Sequence, residues 1–280
     1  MGTKDITEKH LVEHNDVFAD IANVLLFKGR QVVKAQELEN ESDHSIYKAD
    51  GEIHEQERDV AKLWIKGNTT ISVLGLEHQT QVDRYMPLRV ISYDGSVYRA
   101  QLDKKGKRYP VVTMILHFGT EKRWNGPQNL RECLAIPEEM DAYINDYKIY
   151  VFDIALLSLE QVNLFRSDFR IVADYFVQLR MNAEYMPSKK VMKHIDAVLK
   201  LMSVLTNDTR FEVVQNGKEK VKTMCEVLDR AESRGEERAN ALTQILLETN
   251  RIEDLKKALA DATYRKKLMK EVLPDDINHN

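Results

Sequence analysis

Two acidic residues, Asp59 and Glu77, lie nearly symmetrically about a Gly67-Asn68 turn signal. If residues 67–69 form a three-residue hairpin loop, counting back along the two strands pairs Asp59 with Glu77. Directly paired residues share one face of a sheet and have Cβ atoms roughly 5 Å apart. Two carboxylates this close repel each other, and a divalent cation between them relieves the repulsion. This spacing favours a site for a hard cation.

The register of this hairpin decides which face of the sheet each carboxylate occupies. A two-residue loop pairs Asp59 with Leu76 instead, and the two carboxylates then belong to opposite faces. The nearly unbroken apolar run 71–76 indicates a central strand that is buried on both faces and ends just before Glu77. Both registers fit the residues, and a solvated surface carboxylate is the alternative for each acid.

Three segments carry a resemblance to a known family, and they are Glu57-Arg58-Asp59-Val60-Ala61-Lys62, Gly75-Leu76-Glu77-His78-Gln79-Thr80 and Tyr85-Met86-Pro87-Leu88-Arg89-Val90. On these segments the chain resembles the recombination-promoting nucleases, a family often labelled transposases, within the PD-(D/E)xK nuclease superfamily. The resemblance implies an α/β fold with a restriction-endonuclease-like core, which is a mixed sheet in αβββαβ order flanked by helices. Further matches near residues 15–20, 109–127 and 224–229 extend it over most of the chain.

For the site, the resemblance implies phosphodiester hydrolysis with Asp59, Glu77 and Gln79 as catalytic residues. Asp59 and Glu77 would bind Mg²⁺ together with the backbone carbonyl of His78, and Mn²⁺ could substitute. The superfamily signature has Lys where this chain has Gln79, so one positive charge is missing, although the resembling family commonly carries Gln here. Glu77 and Gln79 share a face of the predicted strand because side chains alternate along it.

Supporting roles are assigned to Asp20 and Arg89. Asp20 lies on a predicted amphipathic helix over about residues 15–27, where Asp16 is its competitor one turn earlier. An ordinary surface or capping carboxylate is the alternative for both acids. Arg89 could approach phosphate and partly replace the missing Lys charge, or it could form an ion pair within the helix layer.

Clusters of basic residues indicate where DNA could bind. The net charge of −4 argues against a protein that coats DNA with a uniformly basic surface. A nuclease needs only a local basic surface, and the first candidate cluster comprises Lys104, Lys105, Lys107 and Arg108. A solvated face is the alternative for this cluster and for those near residues 189–193 and 265–270.

Periodicity divides the chain into a nuclease-like domain over residues 1–158 and an all-helical C-terminal region over residues 159–280. In the first, residues 36–57 are expected to have little core, and a helix is expected over about 83–101, with strands over 109–118 and 147–157. In the second, apolar stripes predict helices that cover the core or form a homodimer, with a break at Arg234-Gly235.

Composition limits the cellular setting. Cys133 and Cys225 provide neither a disulfide framework nor a zinc spacing, which predicts reduced thiols and a cytoplasmic location. No run approaches the ~20 apolar residues needed to cross a bilayer, so no membrane partner is expected. The expected function is a Mg²⁺-dependent DNA endonuclease associated with recombination or mobile elements. The alternative is a catalytically weak DNA-binding or partner-binding module that retains the nuclease fold.

Overall fold

A computed structural model describes residues 11–41, 44–49, 52–57, 59–67, 69–102, 105–181, 185–206, 208, 210–213 and 221–273. For residues 44–49, 52–57, 69–78 and 212–213 it describes the backbone only. The chain divides into two compact units, Met1–Met186 and Pro187–Asn280. The chain changes from strands to helices near residue 158, where a boundary is expected from the sequence. That this position also separates two domains stays a prediction.

The first unit is a mixed α/β structure. Its strands are β1 (Leu38–Asn40), β2 (His44–Ala49), β3 (Glu52–Glu57), β4 (Val60–Lys66), β5 (Thr69–Gln79), β6 (Val111–His117) and β7 (Tyr150–Asp153). Its α-helices are α1 (Asn15–Leu25), α2 (Met86–Ala100), α3 (Leu159–Leu164) and α4 (Phe169–Arg180). Short 3-10 turns span Ala35–Glu37, Leu130–Cys133, Glu138–Tyr143 and Ile154–Leu156.

Five strands form one sheet in the order β1-β4-β5-β6-β7, and β2 pairs with β3 separately. The pairs β1-β4 and β4-β5 are antiparallel, whereas β5-β6 and β6-β7 are parallel. The ends of β5, β6 and β7 therefore lie at the same edge of the sheet as the start of β4. We call this edge, marked by Val60, Gln79, His117 and Asp153, the carboxyl edge.

Helix α2 packs on one face of this sheet. Pro87 lies in its first turn, where proline is tolerated, and Met86 and Val90 join a buried cluster with Ile115 of β6. The middle of the helix is held by Asp94, which is buried. We expect this apolar contact to position α2 relative to β6, since its loss would expose large side chains to water.

Asp94 connects three parts of the first unit. Its carboxylate accepts a hydrogen bond of 2.6 Å from the Thr113 hydroxyl on β6 and one of 2.5 Å from the Tyr147 hydroxyl before β7. Hydrogen bonds to a buried carboxylate offset the cost of removing its charge from water. The helix, β6 and the segment that leads into the edge strand β7 are therefore joined at one point.

Helix α1 is anchored to β1 and β4. The Asn15 side chain donates to the carbonyl of Leu38 at 2.7 Å. Lys62 of β4 is almost fully buried, and its ammonium donates to the Glu13 carbonyl at 2.7 Å and to the Asn40 side chain. Burial lowers the pKa of Lys62, and the nearby charge of Glu13 partly opposes that shift.

The polar segment 36–57 contains three strands, which were not predicted, and the expectation that it has little core of its own stays a prediction. β1 joins the main sheet beside β4, and β2 pairs with β3 from His44 opposite Glu57 to Ala49 opposite Glu52. A strand ladder is made by backbone groups, and polar side chains therefore do not prevent it from forming. The last expected strand is shorter than predicted, since β7 gives way to a 3-10 turn at Ile154.

Every regular element described after residue 158 is a helix, as expected. The second unit contains α5 (Ile195–Thr206), α6 (Arg210–Val213), α7 (Met224–Glu248), α8 (Ile252–Ala260) and α9 (Ala262–Val272). A buried cluster formed by Leu242, Leu246, Ala258, Leu268 and Leu273 joins the last three. Among the described helices, none is long and apolar enough to cross a membrane.

The helix break expected at Arg234-Gly235 is wrong, because α7 continues through both residues. Glycine lowers helix stability by only about 1 kcal/mol, which good helix formers and apolar packing on either side overcome. The helix ends instead at Glu248, and two residues later Asn250 has a left-handed φ of 56°. Asparagine tolerates this conformation better than most residues, and it is a common helix terminator.

Candidate functional site

The hairpin between β4 and β5 has a two-residue loop. Lys66 pairs directly with Thr69, so the expected three-residue loop is wrong. Gly67 has a φ of 63°, which is the left-handed conformation that two-residue hairpin loops require and glycine adopts without strain. By itself, this loop would give the register that separates the two carboxylates.

A bulge beside Ile65 reverses that outcome. The register shifts by one residue there, and after the shift the ladder runs to Val60, which pairs with Leu76. One further step in the same register places Asp59 opposite Glu77. The shorter loop and the bulge therefore compensate each other, and the ladder ends in the register that the expected pairing of Asp59 with Glu77 requires.

The two acidic positions differ in how far they are described. Asp59 directly precedes β4 and is half-buried. The backbone of Glu77 lies in β5, whereas its side chain and that of His78 fall outside the described residues. Where side chains are described, no group of three or more His, Cys, Asp or Glu residues has the arrangement of a metal site.

Three polar residues occupy consecutive register positions across the parallel strands. Gln79 of β5 pairs with His117 of β6, and His117 pairs with Asp153 of β7. Directly paired residues share a face, and position 77 shares that face because strand residues alternate. The fold thus brings the positions of Glu77, Gln79, His117 and Asp153 to one face at the carboxyl edge, where Asp59 directly precedes β4.

His117 and Asp153 are in direct contact. His117 Nδ1 lies 2.7 Å from Asp153 Oδ1, and the imidazole is only 3% exposed. The same carboxylate oxygen accepts the backbone N–H of Trp124 at 2.9 Å. The Trp124 ring meets the imidazole edge to face, with centroids 5.5 Å apart. The imidazole is thereby held in one orientation at the end of β6.

The loop after β6 closes over this imidazole at Gly119. A Cβ placed on Gly119 would lie 2.5 Å from His117 Nε2 and 2.6 Å from Cε1. These atoms belong to a ring that Asp153 and Trp124 hold in place, so they have little room to retreat. Position 119 therefore requires glycine for a close approach of backbone to side chain.

The direction of backbone carbonyls distinguishes the two sides of β5. The Gln79 carbonyl accepts the backbone N–H of Phe118 at 2.8 Å and so faces β6. Because successive carbonyls in a strand alternate between its two neighbours, the carbonyl of His78 is directed to the β4 side. Pairing with β4 ends at Val60 opposite Leu76. The His78 carbonyl therefore lies on the side of β5 where Asp59 is in register.

The donor set at this edge suits a hard cation. Two carboxylates at positions 59 and 77 and one carbonyl at position 78 are all oxygen donors. Mg²⁺ prefers oxygen ligands and is commonly bound by one or two carboxylates. The residues thus fit the ion that the sequence suggested.

Asp20 is buried in α1 and binds backbone N–H groups of a distant segment. Its Oδ2 accepts the backbone N–H groups of Arg166 at 2.8 Å and of Ser167 at 2.7 Å. Its Oδ1 is buried and has no hydrogen-bond partner in the described part of the chain. Asp20 therefore ties α1 to the segment before α4, and a supporting role for it at the site stays a prediction.

Arg89 forms an ion pair within the helix layer. Its Nη1 lies 3.1 Å from Asp83 Oδ2, and its Nε and Nη2 donate to the Tyr93 hydroxyl at 3.3 and 3.0 Å. Of the two roles considered from the sequence, these contacts match the ion pair.

The expected DNA-binding cluster lies far from the carboxyl edge. Its described members, Lys105, Lys107 and Arg108, are exposed in the connection that leads into β6, and Lys104 lies outside the described residues. The six steps from Val111 to His117 span roughly 20 Å at about 3.3 Å per residue. The fold places this cluster at the opposite end of β6 from the carboxyl edge.

His117 and Asp153 were missed by reasoning from the sequence. Each is a polar residue at the end of a strand whose preceding residues are mostly apolar. The same signal had singled out Glu77 at the end of the apolar run in β5. Applied to all three parallel strands, it would have identified the whole carboxyl edge, since the ends of parallel strands meet at one edge.

Comparison with known families gives a match over residues 9–210 to the family described as Putative transposase, YhgA-like. This range includes every strand of the sheet and all the positions at the carboxyl edge. Comparisons with curated proteins and with solved structures gave no match. The resemblance read from the sequence is confirmed, and the chain belongs to the Putative transposase, YhgA-like family.

Proposed function

We propose that this protein is a metal-dependent DNA endonuclease that hydrolyses phosphodiester bonds. The observation that carries the proposal is the hairpin register, in which Val60 pairs with Leu76, so that one further step in the same register would set Asp59 opposite Glu77 at the carboxyl edge. Membership of a transposase family supports an association with recombination or mobile elements.

The order of elements supports a PD-(D/E)xK core. In sequence, α1 is followed by β1, β4, β5, α2 and β6 when the separate β2-β3 pair is treated as an insertion. This is the αβββαβ order implied by the resemblance. The first acidic position then precedes the second core strand and the other lies near the end of the third.

Asp59, Glu77 and the backbone carbonyl of His78 would hold Mg²⁺ in this site, with Mn²⁺ as a substitute. When bound, the ion would polarise the scissile phosphate and lower the pKa of a water molecule. The hairpin register sets the spacing between the two acidic positions.

Gln79 is assigned to positioning the attacking water. Its side chain is half-buried at the end of β5 and shares its sheet face with position 77. A neutral amide can both donate and accept hydrogen bonds, although it stabilises developing negative charge less than Lys does. Arg89 is engaged with Asp83 and Tyr93, so we assign it to the start of α2 and not to phosphate.

Cleavage of supercoiled plasmid over a series of Mg²⁺ and Mn²⁺ concentrations tests this function. The proposal expects nicking or linearisation by the wild type and a loss of at least about a hundredfold in Glu77→Gln, because one metal ligand loses its charge. Glu39→Gln, which removes an exposed carboxylate from β1, is the matched control and should cleave normally. Equal cleavage by the wild type and Glu77→Gln would contradict the assignment.

Gln79 also motivates a second candidate, a catalytically weak DNA-binding or partner-binding module. The missing Lys removes a positive charge that the superfamily places beside the metal. This candidate expects DNA to be retained with no cleavage at any metal concentration. Detection of Glu77-dependent cleavage would exclude it.

The helices of the second unit support a proposed homodimer. Leu247 of α7, Ile252 at the start of α8 and Leu259 of α8 are exposed apolar side chains. Such side chains on helices are often covered by a second subunit. Sedimentation of the full chain should give a dimer that Leu247→Lys with Leu259→Lys converts to a monomer; a monomeric wild type would contradict the proposal.

A further inference from the structure

A groove of about 520 Å³ opens beside the ends of β6 and β7. It is lined by the loop Thr120-Glu121-Lys122-Arg123 and by Leu156, Leu179 and Arg180. The loop begins just after β6, and Leu156 lies just after β7. All of these residues belong to the first unit. The groove therefore lies next to the carboxyl edge, within the unit that carries Asp59 and Glu77.

The groove is positively charged. Lys122, Arg123 and Arg180 contribute cations, and Glu121 is the one anion in its lining. All three cations are exposed, and in the described part of the chain none of them forms an ion pair. Positive charge that is not compensated within the protein favours an anionic ligand.

Arg180 is held in place by the turn after β7. Its Nε donates to the carbonyl of Ala155 at 2.8 Å, and Ala155 is fully buried. In the described residues, the terminal nitrogens of this guanidinium have no hydrogen-bond partner. A planar guanidinium fork fits phosphate oxygens with two parallel hydrogen bonds, and fixing it in advance reduces the entropy lost on binding.

We propose that this groove binds the sugar-phosphate backbone of DNA beside the cleavage site, an inference that rests on the proposed function. β6 and β7 lie one and two strands from β5, so the groove begins about 5–10 Å from the strand that carries Glu77. That distance corresponds to about two or three phosphates at 3.4 Å per nucleotide. The apolar side chains of Leu156 and Leu179 provide surface for the sugars.

This inference differs from the sequence-based expectation about Lys105, Lys107 and Arg108. That cluster lies near the start of β6, roughly 20 Å from the carboxyl edge. Arg108, like Arg180, is attached to backbone carbonyls, which for Arg108 are those of Gly106 and Leu102. The groove and the described part of that cluster therefore each contribute three cations, including one anchored Arg, but they differ in position relative to the site.

The test is binding of a short DNA duplex, measured by fluorescence anisotropy over a series of salt concentrations with EDTA present so that no strand is cut. The variant is the triple substitution Lys122→Gln, Arg123→Gln and Arg180→Gln. The matched control removes the same charge from the other cluster by Lys105→Gln, Lys107→Gln and Arg108→Gln. The salt slope is the steepness with which the logarithm of the binding constant falls as the logarithm of the salt concentration rises, and each phosphate contact adds about 0.9 to it. The groove variant should therefore have a slope smaller by about 2 to 3 and an affinity at least about tenfold weaker.

A second variant guards against misfolding. Lys122→Gln with Arg123→Gln leaves the anchored Arg180 untouched and alters only exposed side chains, so its thermal unfolding should match the wild type. It should lower the slope by about 2. An unchanged slope, an equal effect of the groove and control triples, or a wild type that does not bind DNA would overturn the proposal.

The outcomes separate this proposal from the function on which it rests. A wild type that cuts no plasmid while the groove variants still lower the slope would remove the nuclease assignment and leave the groove as a DNA-binding surface. Glu77-dependent cleavage combined with an unchanged slope would remove only the groove.

Discussion

His117 Nδ1 contacts Asp153 Oδ1 at 2.7 Å, and this pair joins the ends of β6 and β7 beside Gln79. The same carboxylate oxygen holds the backbone of Trp124. One acidic side chain thereby fixes the strand ends and the following loop. We infer that this contact keeps the carboxyl edge in a defined shape next to the proposed metal ligands.

Replacement of Asp153 should destabilise the first unit. Asp153→Ala leaves the Trp124 N–H and the buried His117 without their acceptor, which costs about 1–3 kcal/mol for an unsatisfied buried group. Asp153→Asn keeps one acceptor oxygen and should cost less. Urea unfolding of the two variants checks the order; equal stability of Asp153→Ala and the wild type would contradict the role of the contact.

Gly119→Ala should lower the free energy of unfolding, whereas replacement of a glycine within a helix should not. The new Cβ would approach the held His117 ring to 2.5 Å, and overpacking of this kind typically costs about 1–3 kcal/mol. Gly95→Ala is the control, because a Cβ at Gly95 in α2 meets no atom within 4 Å. Thermal unfolding should show a loss for Gly119→Ala and a gain of up to about 1 kcal/mol for Gly95→Ala; a neutral Gly119→Ala would show that the loop yields.

Tyr147→Phe should weaken the junction at Asp94. The substitution removes one of two hydroxyl donors to a buried carboxylate, and a hydrogen bond to a charged group contributes about 1.5–3 kcal/mol. Tyr143→Phe changes the same group on a side chain that is 78% exposed and should have almost no effect. The two free energies of unfolding, measured in urea, should differ by more than 1 kcal/mol. Equal values would mean that Asp94 finds another donor.

The lowered pKa of Lys62 predicts how stability changes with pH. The folded protein releases this proton at a lower pH than the unfolded chain, whose Lys has a pKa of about 10.4. Between those two values the unfolded chain binds more protons, so the stability of the wild type rises with pH. Measured against Lys62→Met, the stability of the wild type should increase as pH approaches 10. If the difference in free energy of unfolding between the wild type and Lys62→Met falls or stays constant as pH rises, the effect of burial on Lys62 is contradicted.

The hairpin shows what could be predicted from the sequence and what could not. Periodicity identified β5 and its end near Glu77, because burial of a central strand demands a long apolar run. The loop was predicted one residue too long, and the bulge at Ile65 was not predicted. These two differences cancel, so the ladder ends in the register that the expected opposition of Asp59 and Glu77 requires. Bulges depend on how a strand fits its neighbours, which a single sequence does not show.

Other differences have similar causes. The strands in the polar segment 36–57 depend on backbone pairing and leave little mark in hydropathy. His117 and Asp153 are distant in sequence and meet only because β6 and β7 are parallel neighbours. The groove around Arg180 likewise combines residues from two strand ends and a helix end. Contacts of this kind follow from topology, whereas helices such as α1 follow from local periodicity.

The most direct test of the central claim is Mn²⁺ binding to the wild type, Asp59→Asn, Glu77→Gln and the double variant, measured by electron paramagnetic resonance of the free ion. It needs no DNA substrate, and both substitutions remove charge without changing side-chain size. If the two carboxylates share one ion, each single variant should weaken binding at least about tenfold, and the double variant should lose much less than the two single losses combined. Unchanged binding in either single variant, or losses that simply add, would contradict a metal site shared by Asp59 and Glu77.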